Sequence, residues 1–218
     1  MPVITALEMQ KRNKERVNVY LDGEYAFSLD IMAAAQLHKG QPLDDEAVAG
    51  LQAQDEVTRA VDRAVRFLTY RPRSVHEIRR NLAEKQTPDV VIDAALERLG
   101  RLGYIDDRAF AAYWVDNRNQ FKPLSQRALR YELRQKGVAD ADIDAALEGL
   151  DEKEAACRAA RDQIRRHQGK SHQEFRQKLG AFLQRRGFGY GVIRDVVEQL
   201  IVEIETENAD YFDVTREE

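Results

Sequence analysis

Cysteine is nearly missing from this chain: Cys157 stands alone among 218 residues, which excludes an intramolecular disulfide and a cysteine-built metal cage. Its expected role is that of a small residue at a helix interface. Long apolar runs are missing too, since no stretch approaches the roughly 18 consecutive apolar residues of a membrane span. The opening residues Met1, Pro2, Val3, Ile4 and Thr5 have neither the basic nor the apolar region of a signal peptide, so a cytoplasmic protein without a membrane partner is expected. With 43% hydrophobic and 33% charged residues, the cores must be thin and the charged faces wide. Histidines are few and scattered. His167 and His172 miss the i, i+4 spacing of a helical metal pair, and no arrangement of Ser, His and Asp suggests a nucleophile. No cofactor, metal or enzymatic activity is expected.

What the chain has is a repeat with a period of about fifty residues. Segment 82–99 recurs at 133–150, the two sharing Ile-Asp-Ala-Ala-Leu-Glu at 92–97 and 143–148, and recurs more loosely at 183–200. Each unit reads as three helices of roughly ten to eighteen residues. In the first, Val57, Val61, Ala64, Val65 and Leu68 mark a helix that ends before Pro72; Ser74 and Glu77 form a capping box; Thr87-Pro88 pairs an N-cap with proline at the first helical position. In the second, Asp106 or Asp107 caps a helix carrying Phe110, Tyr113, Trp114 and Phe121, of which the first three read as core. Ser125 opens its next helix, and Ile143, Ala146, Leu147 and Leu150 mark its last. The third unit starts at Asp151, carries a second capping box at Ser171 and Glu174, and closes with Ile193, Val196, Val197, Leu200 and Ile204.

The helix stops have a common chemistry. Lys136-Gly137 and Arg186-Gly187 place a cation in the last turn and a glycine where the chain turns left-handed. The first unit has Lys85-Gln86 there, and a non-glycine residue in that conformation costs about 1 kcal/mol. Gly187-Phe-Gly-Tyr-Gly191 follows a helix and lacks a Lys-Ser/Thr pair, so it reads as the inter-helix turn, with Phe188 as an apolar plug in place of Val138.

The first thirty residues differ. Val17, Val19 and Leu21 alternate before Asp22-Gly23, and Tyr25, Phe27 and Leu29 alternate after it, which predicts a β-hairpin, with residues 4–9 as a further strand. Such a sheet is marginal alone and must pack on the following helix or on a partner. Residues 31–37 read as a short helix, and Asp44 or Asp45 caps another over 46–51. The expected architecture is mainly α: three tandem three-helix, helix-turn-helix-like repeats in an elongated array, with a small N-terminal hairpin and helical lead-in. The expected division is 1–55 for hairpin and lead-in, 56–105, 106–150 and 151–206 for the repeats, and 207–218 for an acidic mobile tail.

Three motifs then carry a family resemblance: Arg-Pro-Arg-Ser-Val-His-Glu-Ile-Arg-Arg-Asn-Leu at 71–82, Leu-Gly-Tyr-Ile-Asp-Asp-Arg-Ala-Phe-Ala at 102–111, and Leu-Arg-Gln-Lys-Gly-Val at 133–138. In this order they resemble the RecX proteins, bacterial regulators of the RecA recombinase. The resemblance covers residues 57–200, and the hairpin at 16–27 resembles the amino-terminal extension of many members. Phe-Lys-Pro-Leu-Ser at 121–125 departs from the family, which often has a glycine there. The resemblance implies a non-enzymatic monomer that lodges in the groove of the RecA filament, meets single- or double-stranded DNA through it, and restrains its activity.

Net charge is −4, but basic residues gather at 118–136 and 158–186 and acids at 195–218. An acidic total argues against a protein that only coats nucleic acid and permits a mixed partner. Arg127, Arg130 and Arg134 share one helical stripe, and Arg158, Arg161 and Arg165 repeat the spacing. These, with Lys122, Arg166, Lys170, Arg176, Lys178, Arg185 and Arg186, are the candidate contacts to DNA phosphate or to acidic RecA surfaces. The competing reading is a solvated face paired with Asp144, Glu148 and Asp162. A tandem helix-turn-helix protein that binds nucleic acid without RecA is the alternative function, and a helical adaptor for unrelated proteins is a third.

Overall fold

Asp22 and Gly23 decide the first element. Both have positive φ, 50° and 93°, the left-handed pair that a two-residue hairpin turn requires. They join β2 (Arg16–Leu21) to β3 (Glu24–Asp30), and β1 (Ile4–Met9) pairs antiparallel with β2 to complete a three-stranded sheet. This computed structural model describes residues 1–208 and 210–212. The chain forms two units, Met1–Asp106 and Asp107–Glu218. None of the described helices is long and apolar enough to cross a membrane.

In the first unit the sheet buries Val17, Val19, Phe27 and Leu29 on one face, together with Ile4, Ala34 and Leu43. The helix expected at 31–37 is a single turn, α1 (Ile31–Ala34). After it, α2 runs unbroken over Asp45–Leu68, where the sequence suggested two helices, and the boundary read at 55/56 falls inside it. Between those two expected helices lies Asp55, which is buried and takes two bonds from Arg16, at 2.5 and 2.8 Å. A satisfied carboxylate lets the helix cross between two cores: Ala47, Val48 and Leu51 cover the sheet, and Ala60, Val61 and Ala64 pack with the helices that follow.

Those are α3 (Val75–Ala83) and α4 (Asp89–Arg101). Ser74 caps α3 in a complete capping box with Glu77. At α4 the expectation fails: Pro88, not Thr87, is the N-cap residue, and the buried Thr87 hydroxyl has no hydrogen-bond partner.

The second unit holds two repeats with separate cores: α5 (Asp107–Phe121), α6 (Gln126–Gln135) and α7 (Asp140–Leu147), then α8 (Glu152–Ile164), α9 (His172–Arg185) and α10 (Tyr190–Glu207). Phe110 is buried, but Trp114 is half-buried and Tyr113 exposed, so only part of that aromatic set is core. Ser171 accepts from the Glu174 N–H, yet one Glu174 carboxylate oxygen is buried without a partner, so the second predicted box is incomplete. Tyr211 and Phe212, placed in the acidic tail by sequence, are buried against Phe175, and His172 stacks on Phe212 at 4.2 Å. An exposed acidic composition hid this two-residue aromatic anchor. The remainder of the expected tail, residue 209 and residues 213–218, lies outside the described residues.

All three repeats share a skeleton. The N-cap serines of their second helices, Ser74, Ser125 and Ser171, are buried. Two or three residues beyond each second helix, Gln86, Gly137 or Gly187 turns left-handed at φ 59°, 74° and 90°. The third helices all start at residues without a side-chain cap, Pro88, Ala139 and Gly189.

The second and third repeats meet along a polar seam. The Ser125 N–H donates to the Arg186 carbonyl at 3.1 Å, and the Arg186 guanidinium donates to the Pro123 carbonyl at 3.1 Å. The N-terminus of α6 thus meets the C-terminus of α9, so each satisfies a backbone group the other helix leaves orphaned. A Cβ on Gly187 would lie 2.6 Å from Ser125 Oγ and 3.0 Å from Ala128 Cβ. Arg158 of α8 reaches Asn119 of α5 across the same junction.

Replacing Gln86 with glycine should stabilise the protein by about 1 kcal/mol, by relieving left-handed strain, as read from urea denaturation. Gly187→Ala should destabilise more than Gly149→Ala by about 1–2 kcal/mol in the same assay. Both positions are left-handed, but a Cβ at Gly149 meets nothing within 4 Å. Equal costs would mean the seam yields without resistance.

Candidate functional site

The thirteen cations singled out by sequence divide by what holds them. Arg130 bonds Asp144, and Arg134 bonds Asp140 at 2.8 Å, both acids belonging to α7 of the same repeat. Asp140 keeps Arg134 more firmly protonated, and Arg134 in turn lowers the Asp140 pKa. Arg79 bonds Asp93 at the equivalent positions of the first repeat. The Arg130 pair is therefore part of the repeat's own α-helix packing, and within the stripe Arg130 and Arg134 are ion-paired to α7 while Arg127 is not. Exposed pairs of this kind contribute little to stability and can be exchanged for another anion.

The second stripe divides in the same way. Arg158 is held by Glu154 at 3.3 Å and by Asn119, and Arg161 by Glu203 of α10 at 3.2 Å. A bond from Gln199, and then one from Arg161, lowers the Glu203 pKa. Arg165 is exposed and without an ion pair among the described residues. Arg166 reaches only the neutral Gln163, at 3.3 Å. Lys170 and Lys178 both lie near His167, whose pKa is lowered by burial first and then by these lysines.

Arg186 is a fastener of the seam. Besides its bond to Pro123 it lies over the Phe182 ring at 4.9 Å, and burial lowers its pKa. Around it the seam gathers Lys122, Arg127 and Arg185, all exposed and without a carboxylate partner among the described residues. They line a groove of about 660 Å³ with Leu124, Ala128, Tyr131, Glu132 and Phe182. Arg127 also borders a second groove, of about 740 Å³, that Arg176 shares with Tyr190, Ile193 and Arg194. Its guanidinium is only 3.5 Å from the Gly187 carbonyl, too far to be held strongly.

Three cations from a loop, α6 and the end of α9 thus converge, although 63 positions separate Lys122 from Arg185. Sequence reading missed two exposed aromatics, Tyr131 lining the seam groove and Tyr190 bordering the second one, which are 65% and 80% exposed. The signal was present for Tyr131, which lies off the stripe of Leu129 and Leu133. Trp114 is not part of this surface: its indole N–H donates to Glu132, and Arg118 and Lys136 lie over its ring at 4.2 and 4.1 Å. Among the described residues no group of His, Cys, Asp and Glu could hold a metal.

Comparison with known proteins gives these units names. Residues 2–44 match the family model described as the regulatory protein RecX N-terminal domain, and residues 60–99, 106–147 and 151–197 match the first, second and third three-helix domains of RecX. The chain is 35% identical over 205 residues to the regulatory protein RecX of Bacillus subtilis (strain 168), covering 92% of this chain and 78% of that protein. It is 31% identical over 215 residues to the regulatory protein RecX of Limosilactobacillus reuteri (strain DSM 20016), covering 95% and 81%. A crystal structure of regulatory protein RecX superposes with a TM-score of 0.74 at 31% identity, over 91% of this chain and all of that one. A crystal structure of RecX from Lactobacillus salivarius, 20% identical, shares the fold with a TM-score of 0.59, over 68% of this chain and 99% of that one. Four domain matches in chain order and relatives aligned over most of both lengths lead to one conclusion: the chain belongs to the RecX family of regulatory proteins.

Proposed function

We propose that this protein regulates the RecA recombinase by binding the RecA filament on DNA and restraining its ATP hydrolysis, strand exchange or growth. It acts as a cytoplasmic monomer and meets DNA through the filament. The observation that carries the reading is the seam of the second and third repeats, where Lys122, Arg127 and Arg185 have no carboxylate partner among the described residues beside exposed Tyr131. Such a face suits a polymer that presents both acidic protein and phosphate. Arg176, which shares the second groove with Arg127, extends it, and Arg165 and Lys178 are likewise exposed and without an ion pair among the described residues. Three repeats that each touch the filament gain avidity, because the second and third contacts form at high effective concentration.

Substoichiometric amounts of the protein should lower RecA's DNA-dependent ATP hydrolysis, and no change at any ratio would remove the proposal. Reversing Lys122, Arg127 and Arg185 together to glutamate should weaken cosedimentation with RecA filaments at least tenfold while leaving the thermal melt in place. Where these cations meet duplex phosphate, binding should fall by roughly 0.9 log unit per contact per tenfold salt. Tight binding to DNA through the seam cations, with RecA's ATP hydrolysis unchanged at every ratio, would instead establish the nucleic-acid-binding alternative.

A further inference from the structure

The first unit holds a second groove, unrelated to the seam and lined by four arginines and three carboxylates, with Arg16 and Asp55 paired to each other. It lies between β3 and α2, has a volume of about 660 Å³, and is bordered by Arg59, Arg63 and Arg66 on α2. We propose that this groove binds the sugar-phosphate backbone of single-stranded nucleic acid, with Tyr25 as a stacking platform. The proposal does not rest on the RecA reading.

An amphipathic helix beside a sheet should turn its apolar face inward. Along this part of α2 the opposite holds: Gln52, Asp55, Glu56, Arg59, Asp62, Arg63 and Arg66 face the groove, while Ala60, Val61 and Ala64 face the core of the first repeat. Arg16 belongs to the wall. Its guanidinium is bound to both Asp55 oxygens and to the Ser28 carbonyl, and Asp55 holds it firmly charged. Arg59, Arg63 and Arg66 have no such tie. All three are exposed, and none forms an ion pair among the described residues, although Glu56 and Asp62 lie on the same helix face. Helical rise sets them about 6 and 4.5 Å apart along the axis, a ladder that can meet successive charges of an extended polyanion.

The sheet side is polar and internally ordered. Gln10 donates to Asn18 and Ser28, Ser28 donates to Asn18, and Tyr25 shares a hydrogen bond with Ser28 at 3.0 Å. These bonds fix Tyr25 by its hydroxyl while its side chain stays 58% exposed. Arginines beside a held, exposed aromatic are what single-stranded nucleic acid uses. Protein partners are anchored mainly by side chains buried in apolar pockets, whereas this lining is mostly polar, with Ala26 and the buried Phe27 as its aliphatic and phenyl parts.

The test is fluorescence anisotropy of the full chain with a labelled oligothymidylate of about twenty nucleotides, without RecA. The triple variant Arg59→Glu, Arg63→Glu, Arg66→Glu should bind at least tenfold more weakly and lose roughly two units of the log–log salt slope, at about 0.7 per contact on single strands. Tyr25→Ala should weaken binding about fivefold or more with the salt slope retained. An oligonucleotide carrying 5-iododeoxyuridine should crosslink to Tyr25. Unchanged affinity in the triple variant, with a circular-dichroism melt like the parent's, would overturn the proposal, as would crosslinks confined to the second unit. A triple variant that binds oligonucleotide normally but fails to cosediment with RecA filaments would also overturn it, marking the groove as a protein-docking surface. The seam variant is the comparator: it should retain the Tyr25 crosslink whether or not the seam binds RecA.

Discussion

The turn between the second and third helix of each repeat is the constraint on which the rest depends. A short second helix has to stop and release the chain into a third helix packed beside it. Three residues perform that stop: Gln86, Gly137 and Gly187, all left-handed. The following residue folds back, so that the Thr87, Val138 and Phe188 N–H groups reach the Leu82, Leu133 and Leu183 carbonyls, each at 3.2 Å. With that exit fixed, Leu82, Leu133 and Leu183 become fully buried and the three cores close over them. A buried serine at the other end of each second helix supplies the acceptor its first turn lacks. Each repeat is thus determined by a stop, a plug and a cap rather than by a large core, which fits the low apolar content.

The same turn serves a second purpose in the last repeat. Gly187 has to be glycine for its backbone angle and also for space, because Ser125 of the preceding repeat lies against it. The two cores stay separate, and the junction is made by backbone groups and by Arg186. A polar junction leaves its neighbouring cations without internal carboxylates, whereas cations elsewhere on α6 are matched by acids of α7. Charge becomes available where two repeats meet because the carboxylate lining the groove there, Glu132, is already bound by Arg118 and Trp114.

The family's character was legible because periodicity and punctuation are local. Leucine spacing, Ser74 and Ser125 as caps, glycine stops and the Asp22-Gly23 turn all act within a few residues, and all were read correctly. Thr87 was misread since a competent capping residue followed by proline looks the same whether it caps or is merely buried. The continuity of α2 was missed because it depends on Arg16, thirty-nine positions away, neutralising Asp55. Tyr211 and Phe212 were lost in acidic surroundings, since two aromatics carry no period of their own.

The sequence alone determined the repeat, its helices, the N-terminal hairpin and the family resemblance, because these follow from propensity, periodicity and motif, which neighbouring residues encode. Only the tertiary structure decided which arginines are already committed. Arg127, Arg130 and Arg134 are equivalent on a helical wheel, yet two meet acids of a helix that packs alongside and the third overlooks a seam. Whether a charge is spent inside the molecule depends on what another segment brings within about 4 Å of it, and the spacing of residues along one helix does not contain that distance.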